Sequence, residues 1–264
     1  MKKTLLTVLG FGLACLVFAH EYILLAAKYK VKRGEDLELR LFVSDGFNIE
    51  AERPFQPVPT RRFELITALG TTDLSTTAEG AIPLVKRAVD FDGGGLFRLE
   101  RDYARIALPT AKFLEYLKTD HMEEILPLVV KTKQEQKERY TRYIKCLVQS
   151  GESYEDTVYK RVTGQEFEIV LLQNPYTLNR NGLLRARVFF KGSPLAGKVI
   201  TARNRTGSEP AIALTARTDA AGICSFRLSR KGEWFLHATH MIPCPDQNDS
   251  DWESFWTSYS FALE

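Results

Sequence analysis

Asp36-Leu37-Glu38-Leu39-Arg40-Leu41-Phe42-Val43 decides how this chain is to be read. Leu37, Leu39, Leu41 and Val43 share one parity, and Glu38 and Arg40 take the other. A period of two puts one apolar row on one face of a strand and on no single face of a helix. Arg33-Gly34-Glu35 turns into this strand and Ser44-Asp45-Gly46 ends it. Working outward, residues 20–31 start an earlier strand. Residues 47–59 carry Pro54, Pro57 and Pro59 and form a loop that a sheet interior would not accept. Arg61–Leu69 and two segments in the 80s and 90s are further strands, with Asp92-Gly93-Gly94-Gly95 as a hairpin loop between the last two.

After Pro109 the period lengthens. Thr110–Lys118 sets Phe113, Leu114 and Leu117 at helical spacing, and Asp120–Val130 continues with Met122, Ile125, Leu126 and Val129. His121 is expected among acids at a helix start, exposed to solvent. Residues 131–139 are polar and helix-favouring, so a helical segment is expected over about residues 110–145. Gly151–Thr157 is the expected boundary between domains. Beyond it, short strands recur with Gly and Asp turns such as Asp219-Ala220-Ala221-Gly222, a pattern that argues for a β-sandwich. The expected fold class is therefore mainly β. A β-rich N-terminal domain over residues 20–155 carries a helical insertion, and an immunoglobulin-like or regulatory-type β-sandwich follows over 165–264.

At the other end of the scale of polarity, Met1-Lys2-Lys3 precedes an uncharged run from Thr4 to Ala19. This is the form of a secretory signal peptide over residues 1–19, with Val17 and Ala19 at the −3 and −1 places. Cleavage there would make His20 the first residue of a protein exported across the inner membrane to the periplasm. Ala14-Cys15 resembles part of a lipobox, but Gly12 stands where an aliphatic residue is preferred. No later apolar run has the length of a membrane span. The 264 residues carry a formal net charge of +3, with both signs interspersed. Such a chain lacks the basic stripe of a nucleic-acid binder. The cysteines left after cleavage are Cys146, Cys224 and Cys244, too few for a disulfide scaffold, and Cys224 with Cys244 is the one pair considered.

No nucleophile elbow and no paired-histidine zinc motif occurs, so a non-enzymatic role is expected. An N-terminal His20 would have chemistry of its own, because its free α-amine and its ring Nδ1 can chelate one ion together. His237 and His240 are candidate partners, although an odd separation sends them to opposite faces of a regular strand. The His20 amine and ring with the His240 ring would suit Cu(II) or Ni(II). Glu21, Asp246, Asp249 and Asp251 could add oxygens. Trp252, Trp256 and Tyr259 allow an alternative, stacking against a cell-surface glycan or protein.

Ala19-His20-Glu21, Arg139 to Lys145 (Arg-Tyr-Thr-Arg-Tyr-Ile-Lys) and the ending from Gly232-Glu233-Trp234 through His240 to Trp256 and Phe261 resemble a family of unknown function, DUF4198. The resemblance implies an exported bacterial β-rich protein, and some members of the family occur with nickel or cobalt uptake transporters. It carries over His20 and His240 as metal ligands, with His237 less firmly placed. It also implies Ni or Co as the bound ion, with Cu allowed by the nitrogen set, and a metal-uptake transporter or another envelope protein as partner.

Overall fold

The computed structural model describes residues 21–207 and 209–264. The leader, Cys15 and the Ala19-His20 junction lie outside the described residues. The chain begins with β1 (Glu21–Ala26), β2 (Lys30–Val31), β3 (Asp36–Asp45), β4 (Asn48–Arg53), β5 (Thr60–Thr67), β6 (Gly70–Asp73) and β7 (Val85–Ala88). The long β8 (Gly93–Pro109) leads into α1 (Thr110–Thr119), a short 3-10 turn and the equally long β9 (Glu135–Ser150). Then come β10 (Phe167–Leu171), β11 (Gly182–Phe190), β12 (Ser193–Pro194) and β13 (Val199–Arg205). The last four are β14 (Ile212–Arg217), β15 (Ile223–Leu228), β16 (Gly232–Pro243) and β17 (Trp252–Leu263).

A nine-stranded sheet spans the molecule in the order β14-β13-β16-β17-β9-β8-β5-β6, with β2 added to the end of β9. Its centre is β17, antiparallel to β16 and parallel to β9. Both faces of this strand are buried. Phe255, Tyr259, Phe261 and Leu263 pack beneath the small sheet of β10, β11, β12 and β15. On the opposite face the sheet of β1, β3, β4 and β7 covers Phe97, Leu99, Ile144, Cys146, Val148 and Phe235. Beside that cover α1 and the 3-10 turn set Phe113, Tyr116, Leu117 and Ile125 against Met241, Trp252 and Trp256. The fold is thus mainly β with a small helical element. Two facing sheets are as much of the immunoglobulin-like expectation as the strand pairing carries. Among the described residues no helix is long and apolar enough to cross a membrane.

Four expectations are corrected. The helical segment does not reach residue 145: α1 ends at Thr119, the 3-10 turn covers Glu123–Leu128, and residues 135–150 are strand. Local preference for helix over residues 131–139 loses where β8 on one side and β17 on the other satisfy the backbone of β9. Gly93–Gly95 are no hairpin loop; they open β8 opposite Val148–Ser150. Glycine is required there because the Phe91 ring and the Asp156 carboxylate press against this backbone. Cys224 and Cys244 are buried free thiols and form no disulfide. Trp252, Trp256 and Tyr259 are core residues, 4%, 3% and 0% exposed, so they offer no stacking platform to a glycan.

The stretch expected as a domain boundary is irregular, but hydrogen bonding runs past it, because β17 joins β9 directly. A buried ion pair straps it down. Lys145 Nζ lies 2.5 Å from Glu168 Oε1 and donates to the carbonyl of Ile169 at 3.0 Å. Glu168 also accepts from Thr163 N at 2.6 Å and Gly164 N at 3.0 Å. Burial alone would raise the Glu168 carboxyl, but Lys145 and these donors outweigh it and hold it below the usual carboxylate range. Removing one partner of such a pair strands the other charge without compensation. Lys145→Met is expected to lower unfolding stability in urea by roughly 3–5 kcal/mol. A loss below about 1 kcal/mol, as for an exposed pair, would refute the strap.

Candidate functional site

One face of the large sheet has two covers, and the seam between them is polar. Strand β1 enters this seam first. Its outer edge is satisfied from below, where Ser258 Oγ donates to the carbonyl of Tyr22 at 2.8 Å and Ser260 Oγ to that of Leu24. These bonds set Glu21 over β16. Its Oε1 lies 3.6 Å from His237 Nδ1 and 3.7 Å from Arg203 Nε. Its Oε2 accepts from Gly46 N at 3.0 Å. Gly46 has φ +61°, and a Cβ there would come within 3.0 Å of the Arg203 side chain, so glycine makes room for both contacts.

His237 reaches the same place because Thr201 of β13 is its cross-strand partner, which sets Arg203 two residues further along. The turn after α1 closes the space from the other side. A cavity of about 160 Å³ is lined by Glu21, Asp120, His121, Thr201, Arg203 and His237, among others. His121 has φ +55° and follows the helix end, where a helix start was expected. His237 is edge-on to Trp256, with ring centres 5.7 Å apart, and its Nε2 lies 3.5 Å from Thr239 Oγ1.

Burial governs the charges here. It pushes Glu21 up to about 7 against the pull of Arg203, and Asp120 up to about 8 with help from Glu21 and Glu138. Burial, then Arg203 and Lys198, push His237 down to about 3, so its ring is neutral at physiological pH. A neutral imidazole beside carboxyls that still hold protons is a set that a divalent ion can occupy by displacing those protons. Among the described residues, however, no three His, Cys, Asp or Glu side chains stand together as a ready ligand set.

The register of β16 on β17 is unbroken from Gly232 to Pro243, so His237 and His240 lie on opposite faces. His240 faces the other sheet, with its ring centre 4.4 Å from that of Phe190 and 5.9 Å from that of Phe167. His237 is therefore the histidine of β16 that Glu21 meets, and His20 lies outside the described residues. The oxygens offered by Asp249 and Asp251 are engaged elsewhere, with Arg105 and Arg139 and with Lys133. Sequence reasoning passed over Asp120, His121 and Arg203, which are far from His237 along the chain.

Comparison with known proteins adds a family. The profile of DUF4198, "Domain of unknown function (DUF4198)", matches residues 17–242, and the chain belongs to that family. No curated protein matches it. Among solved structures it is similar to the "D0-D1 domain of Intimin", at 11% identity over 91% of this chain and 96% of that one. The TM-score of 0.23 is too low to carry an argument.

The raised carboxyls and the depressed imidazole have opposite consequences for stability. A carboxyl with a raised folded pKa keeps a proton that the unfolded chain has released, so stability falls as pH rises to about 7 for Glu21 and about 8 for Asp120. The imidazole loses its contribution as pH falls from 6.5 towards about 3. Above pH 6.5 the imidazole contribution is complete and constant, so of these three groups only the carboxyls still change stability with pH. Glu21→Gln and Asp120→Asn should therefore gain stability relative to the parent between pH 6 and pH 8 in denaturant titrations. Parallel pH profiles for variants and parent would contradict the burial of these carboxyls.

Proposed function

We propose that this member of the DUF4198 family is a non-catalytic protein of the periplasm that captures a divalent transition-metal ion, Ni(II), Co(II) or Cu(II), at the seam. The observation that supports this most is the meeting of Glu21 with the neutral ring of His237 beside the cavity that Asp120 and His121 also line. Glu21 directly follows His20 in the chain. Removal of residues 1–19 would free an amine and an imidazole one residue from that cavity, completing a nitrogen-rich set of the kind these ions prefer. The ion would then pass to a metal-uptake transporter or another envelope protein.

A second reading, a module for a cell-surface glycan or protein, draws on a different surface. An open groove of about 530 Å³ is lined by Arg62, Arg161, Leu69 and Val162, and the last two side chains are largely exposed. Substitution of Leu69 and Val162 by Asp would abolish retention on an envelope preparation under this reading and leave metal titration untouched.

Isothermal titration of the chain beginning at His20 with each metal alone tests the main reading. Binding should weaken roughly tenfold or more when one residue is added before His20, and again in His237→Ala. His240→Ala should bind like the parent. No heat with any of the three ions, or loss of binding in His240→Ala but not in His237→Ala, would overturn it.

A further inference from the structure

Strands β8 and β9 set Arg101 and Arg142 directly opposite one another. Like charges facing across a ladder repel, and both side chains belong to residues only 9% exposed. Other guanidiniums of these strands have carboxylates. Arg98 holds Glu64 and Glu100, Arg105 holds Asp249, and Arg139 holds Asp249 and Glu253. Arg101 and Arg142 form no ion pair with any described residue. Arg101 donates to Gln56 Oε1 at 2.8 Å, whereas Arg142 donates to no described acceptor and its Nε is buried without one.

No described carboxylate lies within ion-pair distance of either guanidinium. Glu138, four residues along β9, accepts from Tyr116 and Ser254 through Oε1, while its Oε2 is buried without a partner and forms no ion pair with Arg142. Glu21, across a small cavity from Arg142, gives its oxygens to Gly46, Arg203 and His237. Aromatic rings fix the guanidinium planes: Arg142 lies 4.0 Å from the centre of Tyr22 and 4.5 Å from that of Tyr140, and Arg101 lies 5.5 Å from that of Tyr22. Such contacts orient a cation but accept no hydrogen bond in the plane of its N–H groups. The ladder also breaks beside Arg101, where β8 shifts register before Ala104. Bulges of this kind re-aim side chains beside binding sites.

We infer that Arg101 and Arg142 are the two arms of a binding site for a small oxyanion, a carboxylate or a phosphate. Guanidiniums pair with such groups through two parallel hydrogen bonds, which is the bonding these two side chains lack. The site stands without the metal reading.

Thermal unfolding of the metal-free protein, at ionic strength held constant with sodium chloride, tests the inference. Citrate or phosphate at about a hundredfold excess over its dissociation constant should raise the unfolding temperature by roughly 5 °C. A response to citrate but not phosphate assigns the site to carboxylates, and the reverse assigns it to phosphates. Arg142→Gln should lose the response while unfolding no earlier than the parent in chloride alone, because it relieves a buried like-charge contact. If neither anion shifts the parent, or if Arg142→Gln keeps the shift, the site does not exist. Should Arg142→Gln fail to fold, the same comparison is made with Arg101→Gln. The Nε–H resonance of Arg142 in the parent must also move on addition of the effective anion, and an unmoved resonance would overturn the inference.

Discussion

The parallel pairing of β17 with β9 is the contact on which the rest of the structure depends. It places the last strand of the chain at the centre of the large sheet, between β16 and β9, and so joins the two halves of the sequence through backbone hydrogen bonds. Once there, β17 has no solvent face. Its odd positions must be covered by one small sheet, and its even positions by the sheet of β1, β3, β4 and β7 and by α1 together. Ser258 and Ser260 follow from the same placement. In a solvent-facing strand their hydroxyls would meet water, but here they complete the unpaired edge of β1 and position Glu21.

Two covers on one face leave a line where neither is continuous. Apolar packing dominates on both sides of that line, and the charged groups along it are correspondingly perturbed. Glu21, Asp120 and His237 collect at one end, and Arg101 and Arg142 lie further along the same face. The two ends are opposite in chemistry, with proton-holding carboxyls and a neutral imidazole in one and, in the other, guanidiniums that form no ion pair with a described residue. Stability would be better served by apolar side chains in such a place. The stretch Arg139 to Lys145, which carries the family resemblance, contributes to three separate devices: Arg139 to a surface ion-pair network, Arg142 to the seam, and Lys145 to the strap beneath the connecting segment.

Alternation alone marked β3, and the Gly and Asp turns marked where strands end in the C-terminal half. The hairpin read around Asp219-Ala220-Ala221-Gly222, however, is a crossing between sheets, since β14 pairs β13 and β15 pairs β11. The opposite faces of His237 and His240 were likewise legible from their spacing. The strand β9 was hidden, since its first residues prefer helix and only pairing on both sides reverses that preference. The aromatic ending was equally ambiguous. Trp252, Trp256 and Tyr259 fit a stacking surface or a core, and burial decided for the core.

By itself, then, the sequence determined a mainly β chain and the family to which it belongs. The tertiary structure alone decided which side chains meet. Glu21, Asp120, Arg203 and His237 come from four segments separated by tens of residues, and no local period connects them. They converge because strand order brings β13 beside β16 and because β1 docks on the hydroxyls of β17. That Arg101 and Arg142 face one another without an ion pair to any described residue was invisible for the same reason. An unpaired charge is a statement about every neighbour in space, and a linear sequence lists only the neighbours along the chain.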